Sequence, residues 1–258
     1  MDFGQHFLVN KKIVQKIIEA LELSYEDTVL EIGGGKGALT EAFIGKVKKI
    51  YVVEIDKNLV DFLVKKFALR KDIEILNLNF LDLNLETIKE KNLKIVGNIP
   101  YSITSEILHK ILPLNNLWKI CVIMVQKEVA YKILAKPKSK FFGKLTLIVN
   151  FYSNVEKICE VAKDNFYPKP KVDSTVLKFL PNFEFLEYNS KQLIMKIIDM
   201  AFIHKRKTLL NSLSLELNLE KNLIKKLLLD SGIKPTQRPN EVDIYGYKKI
   251  TEKLRNLI

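Results

Sequence analysis

The chain has 258 residues, 47% of them apolar, and carries 42 Lys and Arg against 30 Asp and Glu, a formal charge of +12. That length and apolar share suit an α/β core with a smaller second domain and exclude a disordered tail. The positive balance favours polyanionic partners. No apolar run nears the roughly 20 residues that span a bilayer, and no leader peptide is expected at the start.

Helical apolar spacing at Ile13, Val14, Ile17, Ile18 and Leu21 predicts a helix from Asn10 to Leu21. Thr28 to Ile32 reads as a strand that glycines turn into a helix from about Lys36 to Ile44. A second strand, Lys49 to Ile55, leads into a helix through Leu59, Phe62, Leu63 and Phe67. Ile73 to Leu76, Leu93 to Gly97 and Lys119 to Val125 give three more strands, with a helix from Ser102 to Leu112. Short apolar strands alternating with amphipathic helices predict a mostly parallel sheet covered on both faces.

After Gly143 the rhythm changes. Leu145 to Phe151, Val155 to Val161 and Ser174 to Phe179 read as strand or mixed elements forming an antiparallel edge. From Ser190 the pattern is wholly helical, so the expected division is a catalytic domain over residues 1–182 and an all-helical domain over 186–258. His6, His109 and His204 are scattered without metal-ligand spacing, and no metal is expected. Cys121 and Cys159, in apolar segments, read as free buried thiols of a reducing cytoplasm.

Four stretches carry chemistry. Glu31-Ile32-Gly33-Gly34-Gly35-Lys36-Gly37 places a glycine turn at a strand's carboxyl end, where open α/β sheets bind ligands. It lacks both the Gly-x-Gly-x-x-Gly spacing and the Gly-Lys-Ser/Thr ending of a phosphate loop. Glu54 follows Gly33 at the distance that sets a carboxylate against a ribose; its two oxygens can accept both hydroxyl protons, with Asp56 as the alternative partner. Asn79 is either a turn former or a partner for an adenine amino group, with Phe80 or Ile55 packed on the ring.

The most telling stretch is Asn98-Ile99-Pro100-Tyr101. Pro100 holds the preceding carbonyls outside regular pairing. The Asn98 side-chain oxygen and a rigid main-chain carbonyl can then accept both N–H groups of a ring amine. This exposes the nitrogen lone pair to a methyl donor without a dedicated base. Tyr101 offers a face for a flipped base, and Phe166 or Tyr167, in a proline- and lysine-rich loop through Ser174, can close over the other face. Lys127, Lys132, Lys136, Lys138, Lys140 and Lys144 cluster in one segment, and Lys205-Arg206-Lys207 forms a later block.

With these residues in view, nearly the whole chain closely resembles the ribosomal RNA small-subunit adenine dimethyltransferases. Phe3-Gly4-Gln5-His6-Phe7-Leu8 is similar to their N-terminal cofactor-closing motif, and Asn98 to Tyr101 to their catalytic motif. Gln126 to Ala130, Phe166 to Ser174 and Phe202 to Leu213 extend the likeness. The resemblance implies a Rossmann-like S-adenosylmethionine-dependent methyltransferase sheet with a helical rRNA-positioning domain. It further implies transfer of two methyl groups to N6 of each of two adjacent adenosines near the 3′ end of 16S rRNA, with S-adenosylhomocysteine as product. Gln5, His6, Leu8, Glu31, Gly33, Gly35, Glu54, Ile55, Asn79, Phe80 and Asn98 would line the cofactor site. Asn98, Ile99, Pro100, Tyr101 and Phe166 would hold the base. The partner is 16S rRNA in the small subunit, with no membrane, and the free protein is expected to be monomeric.

Four places depart from the family pattern: His6 for Asn, Asn79 for Asp, His204-Lys205-Arg206-Lys207 for Gln-Arg-Arg-Lys, and Asn240-Glu241 in reversed order. Lys205 cannot reproduce arginine's planar fork. Weaker cofactor binding is expected from Asn79, and none of the departures is expected to touch the tetrapeptide. Three rival readings are a 23S rRNA adenine methyltransferase, towards which Gly35-Lys36-Gly37 leans, a non-catalytic rRNA-binding assembly factor, and a DNA adenine methyltransferase.

Overall fold

The computed structural model describes residues 5–88, 90, 92–186 and 188–255; Phe3 and Gly4 of the N-terminal motif lie outside them. The chain divides into two compact units, Met1–Ala130 with Ser153–Pro181, and Tyr131–Tyr152 with Asn182–Ile258.

The first unit begins with a short strand β1 (Phe7–Leu8) and helix α1 (Lys11–Leu21). Asn10 caps α1 by accepting from Lys12 N at 2.8 Å, and the helix buries Ile13, Ile17, Ile18 and Leu21 as the spacing required. The alternation continues through β2 (Thr28–Ile32), α2 (Ala38–Phe43), β3 (Lys49–Glu54), α3 (Lys57–Lys66) and β4 (Ile73–Asn77). Then come β5 (Leu93–Asn98), α4 (Thr104–Ile111), β6 (Trp118–Gln126) and α5 (Lys127–Ile133), the last of which ends in the second unit.

The main sheet has the order β4-β3-β2-β5-β6, all parallel, extended by β9 (Ser174–Pro181) and β7 (Ser153–Val161), both paired antiparallel. The chain starts in the middle at β2, winds out to β4, then crosses back to β5. The resulting switch point between β2 and β5 opens a crevice at the strands' carboxyl ends. Register makes this concrete, since Ile32 pairs with Gly97 on one side and Val53 on the other. Gly33 is therefore set beside Asn98 and Glu54, residues 65 and 21 positions away by numbering. A small second sheet pairs β1 with β8 (Phe166–Tyr167).

The second unit is helical: α6 (Lys144–Tyr152), α7 (Phe183–Leu186), α8 (Lys191–Ile203), α9 (Leu209–Glu216), α10 (Lys221–Asp230) and α11 (Ile244–Arg255). This corrects the expectation that Leu145 to Phe151 is a strand or mixed element of an antiparallel edge. Thr146, Leu147, Ile148, Val149 and Phe151 are all buried, so the segment is apolar around most of its circumference and shows no period that separates strand from helix. Leu147 and Phe151 share a core with Ile194, Ile198, Leu213 and Tyr247. For that reason residues 131–152 belong with the helices, and the division expected near residue 182 is too simple. Among the described residues no helix is long and apolar enough to cross a membrane.

Candidate active site

The switch point of the first unit holds a cavity of about 510 Å³, a size suited to a nucleoside-sized ligand. The glycine turn forms one wall. Its tightness has a steric cause: a Cβ on Gly34 would lie 2.3 Å from Val52 Cγ1, and Gly35 sits at a φ of +52°. Glu54 locks the turn from β3, with Oε2 accepting from Gly35 N at 2.9 Å and Oε1 from Ile55 N and Asp56 N at 2.9 and 3.0 Å.

Those three bonds correct the expectation that Glu54 takes both ribose hydroxyls. A carboxylate offers about four acceptor positions, so the backbone leaves room for one hydroxyl. Asp56 is no competitor, because it lies off the cavity wall and caps α3 through Asn58 N at 2.9 Å.

Glu31, 1% exposed at the end of β2, lies deeper in the same wall. Burial pushes its carboxyl up to about 8, against the pull of the Thr40 hydroxyl, and the negative Glu54 adds to the rise. Thr40 Oγ1 donates to Glu31 Oε2 at 2.6 Å. Since the folded value exceeds the unfolded one, the native state holds this proton more tightly. The corresponding stability is complete below about pH 4.5 and is lost as pH climbs through about 8. Glu31→Gln keeps an acceptor for Thr40 without the charge. Thermal melts at pH 6 and pH 9 are expected to show a smaller alkaline loss in the variant than in the wild type; parallel curves would contradict this.

Asn79 realises the turn-former alternative: its Oδ1 caps a short 3-10 turn by accepting from Leu81 N at 3.0 Å, while the residue still lines the cavity. Of the two apolar candidates beside it, Ile55 is 44% exposed and Phe80 only 4%, so Ile55 presents the accessible face.

Across the crevice, Pro100 and the residues after it leave the strand and enter α4. The Pro100 carbonyl accepts from Ile103 N at 3.3 Å. Asn98 Nδ2 donates to the His6 carbonyl at 2.9 Å. Only the amide nitrogen can meet a carbonyl, so the Asn98 oxygen is the end left for a substrate. The Tyr101 hydroxyl and Ser174 Oγ are 2.7 Å apart, which fixes the ring; burial pushes that phenol up, keeping it neutral.

The N-terminal segment straps this corner down. Phe7 pairs with Tyr167 and Leu8 with Phe166. Val9 N donates to Asn165 O at 3.0 Å, and Asn10 Nδ2 to Asn165 Oδ1 at 2.6 Å. The His6 ring bonds the Pro168 carbonyl through Nδ1 at 2.8 Å and lies 6.1 Å from the Tyr101 ring. The expectation that no departure touches the tetrapeptide is thus corrected: His6 meets it through both main chain and ring.

Gln5, His6, Leu8, Glu31, Gly33, Gly35, Glu54, Ile55, Asn79, Phe80, Asn98, Ile99, Pro100 and Tyr101 all line the one cavity. Phe166 does not. Strand alternation sends it into the core at 4% exposure and turns Tyr167, 70% exposed, to the wall. Of the two aromatics considered for closing over a base, Tyr167 has the position. Ser174, Asn10 and Asn165 were not foreseen as supports. The hydrophobic period carries no signal for them, because each acts on a partner more than 70 residues away in sequence.

Fold and cavity together place the chain in the class of Rossmann-like S-adenosylmethionine-dependent methyltransferases. The sequence pattern of the ribosomal RNA adenine dimethylase family matches residues 1–253, and the chain belongs to that family. It is 34% identical over 260 residues to a ribosomal RNA small subunit methyltransferase A of Clostridium botulinum, covering 100% of this chain and 94% of the relative. The crystal structure of a dimethyladenosine transferase from Plasmodium falciparum superposes with a TM-score of 0.85 at 26% identity, covering 97% of this chain and 98% of the other. That of the 23S rRNA methyltransferase ErmE gives 0.76 at 25% identity, with coverages of 96% and 99%.

Proposed function

We propose that the protein is a 16S rRNA adenine N6,N6-dimethyltransferase, acting on two adjacent adenosines near the 3′ end of 16S rRNA in the small ribosomal subunit. The observation that carries this reading is the tie between Asn98 Nδ2 and the His6 carbonyl, 2.9 Å long, which commits the amide so that its oxygen is free for a ring amine. The names borne by the curated relative and the Plasmodium structure point the same way.

The residues present fit S-adenosylmethionine. Glu54 keeps one acceptor for a ribose hydroxyl, Ile55 offers an apolar face to an adenine, and the glycine turn lets a ligand approach the backbone. When bound, the cofactor supplies an electrophilic methyl group on a sulfonium and leaves as S-adenosylhomocysteine. Asn98 Oδ1 and the Ile99 carbonyl accept the two N–H hydrogens of the target amine, because the Pro100 carbonyl is already engaged by Ile103. Their role is orientation plus electrostatics: they localise the nitrogen lone pair and stabilise charge developing on the amine. Tyr101, held by Ser174, and the exposed Tyr167 flank the base.

The helical unit, with Lys205, Arg206 and Lys207 all exposed between α8 and α9, is assigned to positioning the protein on rRNA. The same reading makes it a cytoplasmic protein that is monomeric when free of the subunit. Tritiated methyl transfer to undermethylated subunits tests the reading. Label is expected in 16S rRNA of small subunits, mapping to two neighbouring adenosines. Label confined to 23S rRNA would transfer the assignment to the ErmE-like reaction.

A further inference from the structure

Residues 131–144, in the second unit, contain five lysines and no Asp or Glu. Lys144 is paired with Asp199 at 2.7 Å, but Lys132, Lys136, Lys138 and Lys140 have no ion-pair partner among the described residues. In the middle of this uncompensated charge two aromatic rings stand in solvent. Tyr131 is 44% exposed and Phe141 38%, with ring centroids 5.5 Å apart and planes inclined by 28°. The Lys140 ammonium lies 4.9 Å from the Phe141 centroid.

The pair is held by the chain around it. Phe142, 5% exposed, and Ile133, 1% exposed, are anchored in the interior, so their neighbours Phe141 and Lys132 face outward. Ser139 N donates to Lys136 O at 3.1 Å, Phe142 N to Ser139 O at 3.2 Å, and Phe141 N to Ser139 Oγ at 3.3 Å. Lys138 N donates to Asn240 O at 3.0 Å, and Thr146 Oγ1 bridges Gly143 N and Lys132 O. Such a loop has little ordering entropy left to lose on binding. None of these rings enters the methyl-transfer cavity.

We propose that the Tyr131–Phe141 pair is a stacking platform for an unpaired nucleotide of the substrate RNA, with Lys136, Lys138 and Lys140 meeting the flanking phosphates. The proposal rests on the rRNA reading above and adds to it a second nucleotide site, apart from the target-base pocket. Charge decides the occupant. Two aromatics amid four unpaired ammonium groups match a polyanion with exposed π faces, and aromatic stacking accepts any base. An apolar protein helix would leave those charges without partners.

The experiment uses the full chain and undermethylated small subunits, with binding measured by sedimentation at several salt concentrations. Wild-type methylation is read first, so that absence of label in 16S rRNA counts against the substrate assignment and not against the platform. The double variant Tyr131→Leu with Phe141→Leu keeps apolar bulk and removes the rings. It is expected to bind about tenfold more weakly with an unchanged salt slope, while methylation at saturating subunits stays near wild type. Phe141→Trp preserves a stacking face and is expected to bind within about twofold of wild type. Lys138→Gln with Lys140→Gln should instead flatten the logarithmic salt slope by about two. Ultraviolet cross-linking followed by mass spectrometry is expected to find a nucleotide adduct on Tyr131 or Phe141. Unchanged binding by the double leucine variant would overturn the proposal. So would weakened binding to intact subunits with no change for protein-free 16S rRNA, since the rings would then be meeting a ribosomal protein.

Discussion

Asn98→Ala is expected to lower turnover about a hundredfold or more, with subunit affinity within about threefold of wild type. The asymmetry follows from the amide's position. Asn98 lies at the end of β5 in the cavity wall, where the proposed reaction gives its oxygen to the amine alone, whereas the proposed subunit contact draws on many of the chain's 42 Lys and Arg. Asn98→Asp is a sharper form of the test. It preserves size and an acceptor oxygen, but it replaces the N–H that donates to the His6 carbonyl at 2.9 Å with a second oxygen. Two acceptors then face each other, and the side chain must swing away from its strap. Asp is therefore expected to fail about as badly as Ala. Single-turnover kinetics at saturating subunits and cofactor read both variants. Equal losses in turnover and in subunit affinity would contradict the role given to Asn98.

For Glu54→Gln the loss is expected in the cofactor. Affinity for S-adenosylmethionine should fall about a hundredfold, because hydrogen bonds to a charged group contribute roughly 1.5–3 kcal/mol each. The wild-type carboxylate accepts from three main-chain N–H groups, at Gly35, Ile55 and Asp56. Glutamine has a single acceptor oxygen, so either Gly35 N or the Ile55–Asp56 pair is left facing an NH₂ group at a position only 4% exposed. The glycine turn loosens as the ribose loses its acceptor. Asp56→Asn provides the control: asparagine caps α3 as well as aspartate does, and position 56 lies off the cavity wall, so calorimetry should find an affinity within about twofold of wild type. Matching losses in both variants would mean that general acidity near β3, and not the three-way clamp, governs binding.

The sequence by itself determined the order and type of the first unit's elements. Strands β2 to β6 are largely apolar, and the helices α2, α3 and α4 separate all of them except β4 and β5, so period and turn chemistry agree locally, and each motif falls at or just after a strand end. The glycine turn, Glu54 and Asn98, read from the sequence as one site, do line one cavity, because the parallel sheet is entered at its middle and brings those strand ends to one crevice. Only the tertiary structure decided what each side chain is committed to. Glu54 is largely spent on the backbone, Asn79 on its own turn, and Asn98 on the main chain of His6. Tyr167 lines the cavity and Phe166 enters the core because β8 pairs with β1, a register set by residues far away in sequence. The same holds for α6, whose β-branched and aromatic residues become helical because the second unit buries them on nearly every side. Local pattern reports which face of an element is apolar. Hydrogen-bond commitments and all-round burial depend on partners that only the folded chain brings within reach.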